Sequence, residues 1–96
     1  MVIEWMRVRV RPDLVERYVE KDREVWTAGL EREEGFLGKE VWRGEEAGDL
    51  MLVIRWQSRG DWEAISKERL EELGRRFQEE LPEGHEVIDA GAFRPV

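Results

Sequence analysis

The first residues of the chain alternate between two kinds of side chain, as a β-strand with two different faces does. Residues 2–11 read VIEWMRVRVR, with mostly aliphatic residues on one face and Trp5 among arginines on the other. Pro12 ends this strand and opens a helix, because proline is tolerated in the first helical turn. From Leu14 to Leu30 apolar residues recur at helical spacing, and Asp22 interrupts the stripe. An acidic segment that ends in glycine then closes the helix.

The second half of the chain predicts a hairpin, two helices and a last strand. Alternating residues give strands at 36–43 and 50–57, joined by a glycine-containing acidic turn. Ser58 resembles a helix cap and opens a short helix, and Ser66 caps a longer one. Pro82-Glu83-Gly84 stops that helix, and the last strand is expected at 85–94.

The resulting order is β-α-β-β-α-β, which predicts an α+β fold of the ferredoxin-like type over residues 1–96. With right-handed crossovers, both helices cover one face of a four-stranded antiparallel sheet. The opposite face would expose Trp5, Met51 and Val53, and soluble monomers rarely leave such a patch in water. We therefore expect a homodimer that packs sheet to sheet, with nearby arginines paired to acidic groups at its rim.

Composition narrows the function classes. The 16 basic and 23 acidic residues give a net charge of −7, which repels phosphate backbones and disfavours nucleic-acid binding. Cysteine is absent, so there is no disulfide framework or thiol nucleophile, and no apolar run approaches the length of a membrane span. We expect a cytoplasmic protein that does not bind membranes. The lack of asparagine and the abundance of charge are typical of thermophilic proteins.

Short motifs resemble those of a known family. They are Arg11-Pro12 before the first helix, Glu34-Gly35-Phe36 at the second strand, and Ile54-Arg55-Trp56-Gln57-Ser58 with Trp62 six residues after Trp56. Together they resemble the antibiotic-biosynthesis-monooxygenase-like families of the dimeric α+β barrel superfamily, closest to a subgroup without an assigned activity. The resemblance implies a sheet-to-sheet barrel dimer with a ligand site between the helices and sheet of each protomer.

The same resemblance implies two kinds of chemistry. Some relatives oxidise polycyclic aromatic compounds with O₂ and use no metal or flavin, so no cofactor is expected. Others degrade haem with an asparagine, a tryptophan and an axial histidine, and the corresponding positions here carry Met6, Ile65 and Gly74. Haem degradation is therefore disfavoured, because that helix offers no axial nitrogen ligand.

Glu4 and Asp22 are the candidate catalytic residues. Each places a carboxylate on an apolar face, and strand 1 should lie under helix 1, so the two can meet. In a pocket, desolvation would raise the pKa of such a carboxylate towards that of a general base. The alternative is structural: Glu4 pairs with Lys39 or an arginine near the sheet end, and Asp22 lies at the solvent edge of its helix. No metal site is expected, because further ligands do not cluster with them.

Three tryptophans, Trp26, Trp56 and Trp62, are expected around the same region, as walls of a ligand pocket or as plain core. The only histidine, His85, follows a turn, where an exposed position is expected. The leading hypothesis is a dimeric protein that binds a small apolar or aromatic ligand. The resemblance implies a cofactor-independent, monooxygenase-like reaction on an aromatic or polyketide-like compound. The alternative is a dimer without catalytic activity that binds a metabolite or serves in assembly. A completely filled interior would favour this alternative.

Overall fold

The computed structural model describes residues 1–96 and has the predicted order of elements. A 3-10 turn at Pro12–Leu14 and a π-helical segment at Arg23–Thr27 are the additions to that order. The strands are β1 (Val2–Val10), β2 (Phe36–Arg43), β3 (Asp49–Trp56) and β4 (His85–Phe93). The helices are α1 (Val15–Asp22), α2 (Ala28–Leu30), α3 (Arg59–Glu63) and α4 (Lys67–Glu80).

The four strands form one antiparallel sheet in the order β2-β3-β1-β4, as the ferredoxin-like prediction requires. Strand β1 lies between β3 and β4, so the residue pattern of β1 decides what each sheet face carries. Two register irregularities interrupt the pairing, one between Phe36 and Gly38 and one where β4 passes Arg7 and Val8. Each shifts the alternation of side chains by one residue, because a bulge adds an unpaired residue to one strand.

The first long helix is not a regular α-helix throughout. After Asp22 the chain makes a π-helical turn over Arg23–Thr27 and then continues as α2. Such turns are uncommon and are found frequently at functional sites. The sequence pattern predicted one continuous helix here, because an apolar stripe does not distinguish a regular turn from one that is wider by a residue.

Both predicted helix caps are present. The Ser58 hydroxyl accepts a hydrogen bond from the Asp61 backbone N–H at 3.1 Å. The Ser66 hydroxyl accepts one from the Arg69 N–H at the same distance. Caps of this kind contribute about 0.5–2 kcal/mol each. They fix where α3 and α4 begin. No helix of the protein is long and apolar enough to cross a membrane.

The core is divided into two hydrophobic clusters on the helix-covered side of the sheet. The larger contains Val8, Leu52 and Phe77 among its ten buried residues. The smaller has five: Val2, Leu30, Ile54, Trp56 and Ile65. Met6 is only partly buried and packs against both clusters. The interior is therefore not a continuous packed layer, and the region around Met6 is where the two clusters meet.

The outer sheet face carries Trp5, Met51 and Val53, as the alternation predicted. Within the single chain this face is already partly covered: Val53 is only 3 % exposed, and the Trp5 ring stacks on Phe93 with centroids 6.1 Å apart. The Trp5 indole N–H is buried and has no acceptor. The most exposed large apolar side chain on this face is Phe93, which is 66 % exposed. Trp42 follows at 49 %.

Two ion pairs lie on this outer face within one chain. The Arg7 guanidinium makes a bidentate contact with Asp49, with N···O distances of 2.9 and 3.1 Å. Arg55 pairs with Glu40 on the neighbouring strand. Hydrogen bonding by Arg7 holds the Asp49 pKa below its usual value, and Arg55 does the same for Glu40. Arg7 and Arg55 thus have acidic partners within the same chain.

Candidate functional site

A cavity of about 400 Å³ lies between the helices and the covered face of the sheet. Its walls are mostly hydrophobic and come from both core clusters, including Leu30, Leu52 and Ile54. The cavity forms because the two clusters do not close over the partly buried Met6. A site with this character suits an apolar small molecule that is oriented by a few polar groups. Those polar groups are Glu4, Tyr18, Asp22, Lys39 and His85.

Glu4 lies on β1 and points to the helix-covered side. Its Oε1 accepts a hydrogen bond from the Trp56 indole N–H at 3.0 Å. Burial is the main influence on this carboxyl and raises its pKa above the usual 4.5, although the Trp56 hydrogen bond and the positive charges of Lys39 and Arg59 oppose the shift. A carboxylate with a raised pKa is a stronger base than an ordinary glutamate. Because Trp56 engages Oε1, Oε2 is left for a ligand.

Asp22 lies at the end of α1 and is 1 % exposed. Lys39 of β2 reaches it from the sheet, with its Nζ 2.8 Å from Oδ1 and 2.7 Å from Oδ2. Burial raises the Asp22 pKa, and the Lys39 ammonium opposes that effect. Since both oxygens face the ammonium, Asp22 is less free than Glu4 to take a proton from a ligand. Lys39 thus forms its ion pair with Asp22 and not with Glu4, and Asp22 is buried and not at the solvent edge of its helix.

The tryptophans divide into two roles. Trp26 and Trp62 line the cavity, and the Arg59 guanidinium lies 4.5 Å from the ring centroid of Trp62. Trp56 does not line it, which corrects its expected role as a wall. The Trp56 ring is fully buried against Phe36, edge to face at 5.7 Å, because its side chain points into the smaller core cluster. Trp56 reaches the cavity only through its hydrogen bond to Glu4.

The three positions compared with haem-degrading relatives all lie in the cavity wall. Met6, Ile65 and Gly74 line it together, on β1, beside α3 and on α4. The comparison by motif and the geometry of the cavity therefore single out the same region of the fold. None of the three side chains supplies an amide, an indole or an imidazole.

Tyr18 and His85 are cavity residues that the sequence reasoning missed. His85 was expected at the surface, but it is half-buried and lies between the rings of Tyr18 and Phe77. Burial and the nearby Asp22 charge raise the Tyr18 pKa, so its hydroxyl stays protonated. The sequence did offer one signal for the place of His85: it directly follows the turn at 82–84. His85 therefore starts β4, where it pairs with Val10 on the helix-covered face of the sheet.

A protein-family model, described as "Antibiotic biosynthesis monooxygenase", matches residues 1–69. The chain belongs to this family. The match includes β1 to α3 with Glu4, Asp22, Lys39 and Trp62, and it ends early in α4. None of the curated proteins compared matches the chain.

Solved structures agree on the fold of this family member. SnoaB, a cofactor-independent oxygenase from Streptomyces nogalater, is 14 % identical with a TM-score of 0.69, over 99 % of this chain and 92 % of that one. The monooxygenase from the gene ActVA-Orf6 of Streptomyces coelicolor, solved with the ligand nanaomycin D, is 15 % identical with a TM-score of 0.76, over 99 % and 87 %. HapK from Hahella chejuensis is 15 % identical with a TM-score of 0.75, over 100 % and 93 %. At these identities the likeness establishes the fold alone.

Proposed function

We propose that this family member is a homodimeric, cofactor-independent monooxygenase that acts on a small aromatic or polyketide-like compound in the cytoplasm. The observation that carries the proposal is the cavity with the partly buried Glu4 carboxylate in its wall. A filled interior would have favoured a dimer without catalytic activity. Two neighbours in fold, an oxygenase and a monooxygenase, support the choice of reaction class.

Glu4 is the proposed base. It would take a proton from a weakly acidic ligand, and the resulting anion would donate electrons to O₂ without help from a metal or flavin. For a phenol the overall reaction balances as phenol plus O₂ giving quinone plus water, with one oxygen atom entering the ring. Asp22 is proposed to orient the ligand indirectly, since it holds Lys39 at the cavity wall and leaves one ammonium hydrogen of Lys39 free.

The proposed dimer uses the outer sheet face around Trp5, Met51 and Val53. The exposed rings of Phe93 and Trp42 support a partner on this face, because soluble monomers rarely leave such apolar surface in water. Sedimentation at micromolar concentration should show a species of twice 11.4 kDa. Val53 is buried within the single chain, so a charge there would destabilise the fold as well as a dimer. Trp42 is exposed on the same face, so Trp42→Glu is the better test. It should give folded monomers, whereas a wild-type chain that sediments only as a monomer would refute the dimer.

The catalytic proposal is tested with Glu4→Gln. Glutamine keeps an oxygen for the Trp56 indole but removes the base, so turnover or ligand binding should be lost while the melting temperature changes little. Native mass spectrometry of the purified protein, which detects a co-purifying small molecule, supplies the compound to be assayed. Glu63→Gln, at an exposed residue of α3, is the matched control and should retain activity.

A large change in the melting temperature of the Glu4→Gln variant, in either direction, would indicate that Glu4 is a structural carboxylate. Retained turnover in a folded Glu4→Gln variant would exclude it as the base. Because Asp22 is bound to Lys39 on both oxygens, it does not offer an equivalent replacement.

A further inference from the structure

His85 is the only histidine of the chain and borders the cavity. Two buried aromatic rings fix its orientation. Tyr18 lies 5.6 Å away between centroids with the rings tilted by 60°, and Phe77 lies 5.4 Å away at 77°. An imidazole between two rings of the core has little freedom to swing, so its two nitrogens hold defined positions.

A backbone contact defines which nitrogen carries the hydrogen. The Nε2 atom of His85 lies 2.9 Å from the carbonyl oxygen of Leu81. A carbonyl oxygen only accepts, so in the neutral ring Nε2 is the donor and Nδ1 is the acceptor. Leu81 is 2 % exposed and His85 is half-buried, so this hydrogen bond is partly shielded from water. The Nδ1 atom has no hydrogen bond to the protein.

Glu4 and Asp22 are already engaged, at least in part, whereas the Tyr18 hydroxyl in the cavity wall has no hydrogen bond to the protein. One oxygen of Glu4 accepts from Trp56, and both oxygens of Asp22 face the Lys39 ammonium. His85 is also distant from Glu4 along the sheet. It pairs with Val10, six residues beyond Glu4 on β1, which corresponds to about 20 Å of strand. The two residues therefore mark opposite ends of the cavity.

We propose that His85 Nδ1 is the acceptor for a hydroxyl group of the ligand, a phenol-type hydroxyl at the end of the cavity remote from Glu4. The inference rests on the proposed function, which supplies an aromatic ligand. It adds a requirement for the substrate class: an elongated ring system with a hydroxyl at one end and its acidic position at the other. If the proton transfers, the O–H bond breaks, Nδ1–H forms, and the products are a phenolate and an imidazolium.

The test compares 1-naphthol with 1-methoxynaphthalene, which has the same rings but no hydroxyl hydrogen. Calorimetry at about pH 8 measures both affinities for the wild type and for His85→Phe. Phenylalanine keeps an aromatic ring between Tyr18 and Phe77 but has no acceptor in place of Nδ1. Glu86→Gln, on the adjacent exposed residue of β4, is the control. Imidazole ¹⁵N NMR of the single histidine reports directly on Nδ1.

The wild type should prefer the naphthol by about three- to tenfold, the effect of one hydrogen bond. His85→Phe should abolish that preference, Glu86→Gln should keep it, and only the naphthol should shift the Nδ1 resonance. A preference that survives in His85→Phe overturns the inference, as does an unshifted Nδ1 resonance in the naphthol complex. If that variant does not fold, the wild-type resonance decides.

Two further outcomes separate this inference from the proposed function. Binding of both compounds with equal affinity overturns the role of His85 and leaves an aromatic-binding cavity intact. Failure of both compounds to bind counts against the aromatic-binding cavity itself and overturns the His85 inference with it. Loss of the preference in Glu4→Gln, with retention in His85→Phe, would assign the hydroxyl to the other end of the cavity and overturn the inference.

Discussion

Removal of Lys39 should leave a carboxylate buried without its partner. The side chains of Lys39 and Asp22 are 3 % and 2 % exposed, and the ammonium contacts both carboxylate oxygens. In Lys39→Met the methionine fills a similar volume, but Asp22 loses its counter-ion. Breaking one partner of a buried pair destabilises a protein by about 3–5 kcal/mol. A domain of this size has a total unfolding free energy of about 5–15 kcal/mol, so much of its stability should be lost.

Urea unfolding, followed by tryptophan fluorescence and far-UV circular dichroism at fixed protein concentration, measures this loss. At an m-value of about 1.5 kcal/mol/M, a loss of 3 kcal/mol lowers the midpoint by about 2 M. The same loss lowers the melting temperature by roughly 12–24 °C. The deficit should shrink at low pH, because protonation of the unpaired Asp22 removes the buried charge.

The double variant Asp22→Leu/Lys39→Met supplies the control. Replacing both charges with apolar side chains should restore stability to near the wild-type value, or exceed it by about 1–4 kcal/mol, because no unpaired charge remains. A Lys39→Met variant that loses less than about 1 kcal/mol would refute the reasoning, since Asp22 would then have found another partner or water. So would a double variant as unstable as the single one.

Further predictions concern Glu4 and two helical glycines. Burial raises the pKa of Glu4 in the folded protein above the usual 4.5. The stabilisation that Glu4 contributes is therefore fully present below about pH 4.5 and is lost as the pH rises through the pKa of the folded state. Urea titrations should show the unfolding free energy of the wild type falling relative to that of Glu4→Gln between about pH 4 and pH 7. A constant difference would contradict this. Gly74→Ala should raise the unfolding free energy by about 0.5–1 kcal/mol, because its Cβ would meet Trp26 at an ordinary 3.7 Å and alanine favours helix. Gly29→Ala should lower the unfolding free energy, because the new Cβ would lie 2.6 Å from the Leu73 side chain. Thermal melts in which both alanine variants shift the melting temperature in the same direction would contradict this packing.

The fold was predictable from the sequence because its signals are local and agree with one another. Alternation marks the strands, serines mark the starts of α3 and α4, and Gly35 and Gly84, both with positive φ, lie where the chain turns. The family motifs fall in the same segments. Each of these features depends on residues a few positions apart, so no three-dimensional information is needed to interpret them.

The site was only partly predictable, because its contacts depend on sheet register and helix phase. Lys39 and Glu4 lie in one row across the sheet, but Ile54 stands between them, which separates their backbones by about 10 Å. Lys39 therefore turns up to Asp22. That pairing had a signal in the sequence: two opposite charges each interrupt an apolar pattern. The sequence signal for the position of His85 was weaker. A bulge in β4 interrupts the alternation of side chains, so alternation along the strand does not show which face His85 lies on.

The π-helical turn at Arg23–Thr27 makes the shape of the cavity wall depend on residue count as well as residue type. One residue in a helix corresponds to about 100° of rotation and 1.5 Å of rise. Deletion of one residue from this turn would convert it to a regular α-helix and would present a different set of side chains to α4. Insertions and deletions in this five-residue segment would therefore reshape the cavity while every strand of the sheet keeps its register.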